Sequence, residues 1–400
     1  MTLHPPPELD PAPAGSEPET WISHRRNRLL SKLRDRGIGD RVLAALRAVP
    51  HHEYATPYFC THDPTRSLRS RERTPRAWYT GLYSIGPLSF IQPGGTDTIT
   101  YSTPVLATML DLLDVNPGDR VLQLGTGTGF TAAVLHHLTQ CPTVISREPD
   151  PAWARHARAK LSERAHVLNH PDLHLHGADK HDRDFQRIIV WHDVACAPPD
   201  WRDILGLDLP QAYSRHPVRT LVTVVAGAIT KLTLDAEGLT GTFHGTTTTP
   251  PARDTTAPSG SSPHRRLEPY PFLRDELDLP EFRLLLHLAF PLLQTEAESG
   301  GLTVTDPESW SRAELQKREG RYAASAQHGA YRLWDDITAL AHRWDELGRP
   351  HSSQLTLTCR GSTQIISHGS QELHRRPSTY PTATPHHHVP THLPGTHHVL

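Results

Sequence analysis

The chain has no apolar run near the roughly 20 residues that a membrane-crossing helix requires, so no membrane partner is expected. It has no excess of either charge. With 41 basic and 43 acidic residues, the net charge is −2. That balance argues against a general nucleic-acid binder. Cysteine is scarce: Cys60, Cys141, Cys196 and Cys359 stand far apart, with no CxxC pair. Such spacing predicts neither a disulfide framework nor a zinc knuckle, and reads as reduced thiols in a cytoplasmic protein. The first twenty residues lack a basic segment followed by an apolar one, so no secretory signal is expected there. Hydrophobic residues make up only 36% of the chain.

Proline (37) and histidine (29) are abundant instead. Part of both falls in segments without apolar periodicity. Residues 1–20 and the His/Pro-rich tail 373–400 read as disordered, and 249–266 as a linker. Two folded parts are expected, 21–248 and 267–372. The tail histidines (His386, His387, His388, His392, His397, His398) are interrupted by prolines and have no acids beside them. No metal site is expected there.

The first part alternates helical and strand-like patterns. Two short helices are expected before Pro50, broken at Gly37-Ile38-Gly39. Residues 60–100 read as loop. "STPVLATMLDLLDV" reads as a helix with Thr103 as cap and Pro104 as its first residue. "RVLQL" reads as a buried strand, "GTGTG" as a loop and "FTAAVLHHL" as a helix. "PTVIS" follows as a strand, and a helix opens on the Asp150-Pro151 pair. "LHLH" and "RIIVW" read as further strands. This order predicts an α/β fold, a Rossmann-like doubly wound, mainly parallel sheet. "TLVTVV", "AITKLTLD" and "GLTGTFHG" add β-strands, the last two joined as a hairpin at Asp235–Gly238. "FRLLLHLAFPLL" and "YRLWDDITALAHRWDEL" predict helices in a smaller, mainly helical α+β C-terminal part.

The glycine loop carries the chemistry. No lysine follows it, so it is not a phosphate-binding P-loop. Gly125, Gly127 and Gly129 form GxGxG, not the GxGxxG of a dinucleotide site. Alternating glycines suit the loop of S-adenosyl-L-methionine methyltransferases. Glu148 ends the next strand, where a carboxylate can accept hydrogen bonds from ribose hydroxyls. A tight turn beside a solvated acid is the plain structural alternative.

"YSTPVLATMLDLLDVNPGDRVLQLGTGTGFTAAVLHHL" resembles the protein-L-isoaspartate O-methyltransferases: Ser-x-Pro, a helix, a Pro-Gly turn, then strand and GTGxG loop. "LRDRGIGDRVLAALRAVPHHEYATP" and "RIIVWHDVACAPPDW" resemble further blocks of that family. The later "ITKLTLDAEGLTGTF" and "SQLTLT" resemble its larger actinobacterial versions, which accompany ribosomally made, modified peptides. The resemblance implies S-adenosyl-L-methionine as cofactor, held by Gln123, Gly125, Thr126, Gly127, Thr128, Gly129, Glu148, Ala178 and Asp179. It implies Ser102 as the hydroxyl that orients the accepting carboxylate, flanked by Tyr101 and Thr103. It further implies an aspartate or isoaspartate carboxylate of a protein or precursor peptide as acceptor, a succinimide as a later product, and a peptide-modifying enzyme as a partner.

Three residues depart from the family pattern. Gln123 and Ala178 stand where acids are usual, and Trp191 stands where a small polar residue is usual. These changes keep open a catalytically weak or inactive scaffold that binds a peptide or partner enzyme, and the same fold also serves small-molecule methyltransferases, the second alternative. Trp78, Tyr79 and Tyr83 could form a lid, but such aromatics more often bury themselves.

Overall fold

The computed structural model describes residues 18–61, 63, 65–93, 95, 97–140, 144–162, 164–169, 185–194, 220–234, 238–247, 263–264, 272–273, 276–298, 301–307, 309–329, 331–360 and 363–377. These form two compact units. The first takes the described residues up to Asn169 together with Arg187–Ile189, and the second takes Phe185, Gln186 and those from Val190 onward. The division runs earlier in the chain than the expected linker at 249–266, of which only Pro263 and His264 are described.

The first unit opens with α1 (Pro18–Arg34) and α2 (Asp40–Ala48). Gly37, at φ +84°, supplies the left-handed turn between them, as expected of that glycine pair. Leu30, Leu33, Leu43 and Leu46 are buried. Each such side chain contributes roughly 1.5–3 kcal/mol. Residues 60–100 are more ordered than their loop-like composition suggests. They hold the end of β1 (Tyr58–Cys60), then α3 (Pro75–Leu82), β2 (Leu88–Ile91) and β3 (Asp97–Ile99). The three strands form a small antiparallel sheet. Trp78, Tyr79 and Tyr83 pack inward in and beside α3 and are buried.

Next come α4 (Thr103–Leu113), β4 (Val121–Leu124), α5 (Phe130–Thr139), β5 (Val144–Glu148), α6 (Pro151–Leu161) and β6 (His166–Asn169). Asp150 caps α6 as its sequence implies: Oδ1 accepts from the Ala152 and Trp153 amides at 2.7 and 3.0 Å. The cap of α4 lies one residue earlier than expected. Ser102 is the cap, Thr103 the first helical residue and Pro104 the second. Pro104 is equally harmless there, because the second amide of a helix also lacks an intrahelical partner. β6 lies before the expected "LHLH" strand, which falls outside the described residues.

β4 pairs in parallel with β5, and β5 with β6. The next strand, β7 (Arg187–Val194), flanks β4 on the other side. Strand order therefore reverses at β4, as in a Rossmann-like sheet, and the crevice at the carboxyl end of β4 is the place for a ligand. Val121, Leu122, Gln123 and Leu124 are all fully buried.

In the second unit, the remainder of β7 is followed by β8 (Thr220–Val225), β9 (Ala228–Leu234) and β10 (Leu239–Thr246). The expected β9–β10 hairpin is present, with Leu234 opposite Leu239. Gly238 admits no side chain there: a Cβ would sit 2.3 Å from the Cys359 carbonyl oxygen. A second sheet contains β11 (Pro263–His264), β12 (Phe272–Leu273), β13 (Gln294–Glu298), β14 (Gly301–Asp306), β15 (Ser311–Arg318) and β16 (Arg321–His328). The two helices anticipated here are α7 (Pro280–Ala289) and α8 (Leu333–Glu346). Strand content is higher than their sequences suggested. β17 (Leu355–Arg360), β18 (Thr363–His368) and β19 (Gln371–Pro377) continue the ladder from β10. β19 runs past the expected end of order at 372. Among its described side chains only Leu373 is both apolar and buried, so the strand lacks an alternating signature.

Candidate active site

The glycine loop joins β4 to α5 at the switch point. Gly125, Gly127 and Gly129 have φ of +87°, +52° and +88°. The GTGTG pattern therefore places a glycine at each left-handed position and a threonine between them. Two of these glycines differ sharply in surroundings. A Cβ on Gly129 would meet Leu161 Cδ1 at 3.3 Å and Ala157 at 3.4 Å, so this glycine lets α6 pack closely. A Cβ on Gly127 would meet nothing within 4 Å. Gly127 faces open space, and a ligand can approach its backbone.

Glu148 closes the loop from below. Its Oε2 accepts from the Thr126 and Gly127 amides, both at 2.8 Å, and its Oε1 accepts from the Asp150 amide at 3.0 Å. Burial pushes its carboxyl above the ordinary value, against the opposing pull of those amides. From its place at the end of the strand, Glu148 is expected to meet a ligand ribose. The structure gives it a second task, bracing the loop, and a ribose hydroxyl reaching it would share the carboxylate with the amides. Thr126 Oγ1 bonds Ser146 Oγ at 2.6 Å, and Thr128 Oγ1 accepts from the Phe130 amide at 3.4 Å.

Gln123 takes the place of the expected acid. Its Nε2 donates to the Gly125 carbonyl and to Thr131 Oγ1, both at 2.8 Å. Its Oε1 is buried with no hydrogen-bond partner. Buried acceptors are rarely left unpaired. This oxygen is suited to a donor such as the ammonium of an amino-acid ligand. Thr131 carried no sequence signal, because its role depends on the turn folding back onto β4.

Ser102 supplies its carbonyl to the Leu106 amide at 3.0 Å, but its side chain makes no cap bond. Its hydroxyl is therefore not committed to the helix. Thr103 Oγ1 donates weakly to the Ser84 carbonyl at 3.4 Å. Thr100 packs as ordinary loop, with its amide and hydroxyl both on the Leu88 carbonyl. Tyr101 is half-buried beside Ser102. Ala178 and Asp179 lie outside the described residues. Trp191 is half-buried in the second unit, with its Nε1 enclosed and unpartnered.

His51 was missed by sequence reasoning, although "VPHHEY" held it. Its ring stacks on Phe130, the first residue of α5, at 4.1 Å and 19°. Enclosure lowers its pKa to about 3, with the neighbouring His52 adding to the effect. His51 is thus a neutral wall and not a cation. His52 Nδ1 bonds Tyr83 Oη at 2.6 Å. Among the described residues, no cluster of His, Cys, Asp or Glu could hold a metal ion.

The site lies within a stretch that matches a known family. Residues 72–182 match the protein-L-isoaspartate(D-aspartate) O-methyltransferase model. A protein-L-isoaspartate O-methyltransferase of Salinibacter ruber (strain DSM 13855 / M31) is 37% identical over 139 residues, 34% of this chain. The chain spans half the length of that curated relative. The resemblance read from Ser102, the GTGTG loop and their flanks thus holds for the segment that carries the site. Among solved structures, one protein-L-isoaspartate O-methyltransferase has a TM-score of 0.45 at 13% identity, covering 88% of this chain and all of its own. A Plasmodium falciparum structure described in the same family terms, in complex with S-adenosyl-L-homocysteine, has a TM-score of 0.37 at 14% identity. It covers 55% of this chain and 94% of its own. The Rossmann-like assignment rests on the chain's own strand order.

Proposed function

We propose that the chain is an S-adenosyl-L-methionine-dependent O-methyltransferase that esterifies an aspartate or isoaspartate carboxylate of a protein or peptide. The observation that carries this reading is the unpaired Gln123 Oε1 at the root of the glycine loop, together with the open face of Gly127, inside the family-matching segment. The residues fit the cofactor. Gln123 Oε1 would accept from its ammonium, the Gly127 backbone would lie along its methionine half, and Glu148 would take its ribose. When bound, the cofactor supplies a methyl group activated on a cationic sulfur.

The acceptor needs little activation. A carboxylate with an ordinary pKa of about 4 is already ionised at neutral pH. No general base is required, and the glutamine at position 123 removes none. The chain's task is to orient one carboxylate oxygen and to exclude water. The uncommitted Ser102 hydroxyl would donate to one oxygen and leave the other to attack. A precursor peptide of ribosomal origin is the finer proposal, in which a backbone amide nitrogen then attacks the ester carbonyl, the C–OCH3 bond breaks, and methanol leaves with the amide proton to give the succinimide.

Titration calorimetry with S-adenosyl-L-methionine tests the cofactor assignment. Saturable binding is expected, and Ser102→Ala should retain it while losing most turnover. A chain that binds no cofactor at any soluble concentration is a peptide-binding scaffold instead.

A further inference from the structure

A small cavity of about 20 Å³ lies among α1, α2, α4 and the start of α5. Its walls include Arg26, Leu29, Leu33, His51, Thr103 and Phe130. By this measure a water needs roughly 10–15 Å³, so the space admits a head group such as a carboxylate and no more. Two walls tie it to the candidate active site. Thr103 adjoins Ser102, and Phe130 directly follows the glycine loop.

Among the described residues, Arg26 is the one charged side chain on this wall, since His51 is held neutral. Its Nε is buried without a hydrogen-bond partner. Arg26 makes no ion pair among the described residues. Glu19 and Glu53 act on the neighbouring His52, and neither pairs with Arg26. His52 and Tyr83 both feel the positive charge of Arg26, and their side chains are bonded to each other. Arg26 as a whole is half-buried, and a buried guanidinium Nε left unpaired on this largely apolar wall is unfavourable. Its natural partner is a planar oxyanion that accepts from the fork.

We infer that Arg26 binds the carboxylate of the substrate. This assignment rests on the carboxyl methyltransferase reading and extends it to substrate selection. Arg26 holds the acid form and not the amide or the methyl ester, because only the acid carries the charge. That charge falls as the methyl is transferred, so the interaction favours the bound substrate over the transition state. Loss of Arg26 should therefore raise KM and leave kcat unchanged or higher.

The test uses two synthetic peptides, one with an isoaspartyl carboxylate and one with that group as carboxamide. Their binding to the full chain is measured by calorimetry in the presence of S-adenosyl-L-homocysteine. The wild-type chain should prefer the acid by about tenfold or more, the range of one charge-assisted hydrogen bond. Arg26→Gln should lose the preference while binding the carboxamide as before, and Arg26→Lys should keep part of it. Equal or absent binding of the two peptides by the wild type, or a preference that survives in Arg26→Gln, overturns the assignment. Methyl transfer is followed in parallel. Discrimination without methyl transfer leaves Arg26 in place and removes the methyltransferase reading. Methyl transfer with an unchanged KM in Arg26→Gln does the reverse.

Discussion

Gly127→Ala and Gly129→Ala should separate the two uses of the glycine loop. Both positions have positive φ, +52° and +88°, so an alanine at either is strained by about 1–2 kcal/mol. At Gly129 the new methyl also meets Leu161 and Ala157 at 3.3–3.4 Å. Overpacking of that kind costs about 1–3 kcal/mol, for a total of about 2–5 kcal/mol. At Gly127 nothing lies within 4 Å, so the packing contribution vanishes. The same methyl would instead enter the open space that the proposed cofactor would use. Urea denaturation followed by circular dichroism should thus place Gly129→Ala well below Gly127→Ala in stability. Calorimetry should show the larger loss of S-adenosyl-L-methionine affinity in Gly127→Ala. A Gly127→Ala chain that binds the cofactor like wild type, or a Gly129→Ala chain as stable as wild type, refutes this division of roles.

Gln123→Glu should lower stability by about 1–3 kcal/mol, because the Gly125 carbonyl loses its donor and a carboxylate is buried. The cofactor should narrow that deficit, since its ammonium would face the new charge; an unchanged gap in the melting curves contradicts the orientation given to Gln123. Ser102→Ala should change stability by less than about 0.5 kcal/mol, because no cap bond is lost, while methyl transfer falls steeply; unaltered turnover removes Ser102 from the mechanism. His51 has a folded-state pKa of about 3 against an ordinary 6.5. Below 6.5 the unfolded state takes up the proton and the folded state does not, so stability is full above that value and falls as pH drops toward 3. His374, lowered to about 4 by burial and nearby arginines, acts in the same direction. His51→Phe preserves the stack on Phe130 and should flatten the pH dependence of the urea midpoint between those values.

Local chemistry made much of the site legible in the sequence. Alternating glycines announced a loop of left-handed residues, and the Asp150-Pro151 pair announced its helix. The buried run at 121–124 announced the central strand. Its glutamine was visible as an anomaly, but its partner Thr131 was not, because that bond forms only when the loop folds back. The same holds for Glu148, whose amide partners are set by the loop's path. Arg26 sits in a helix crowded with basic residues, and nothing in the sequence separates it from its neighbours. Only the cavity does. The second sheet was under-read because strands such as β15 and β19 are rich in charged residues and alternate weakly.

The most direct test is to incubate the full chain with S-adenosyl-L-methionine and an isoaspartyl peptide and follow the peptide by mass spectrometry. A gain of one methyl group is expected on the acid peptide, none on its carboxamide counterpart, and loss of the gain in Ser102→Ala. Saturable cofactor binding with no methylated acid peptide, or equal methylation of the carboxamide, contradicts the carboxyl methyltransferase reading.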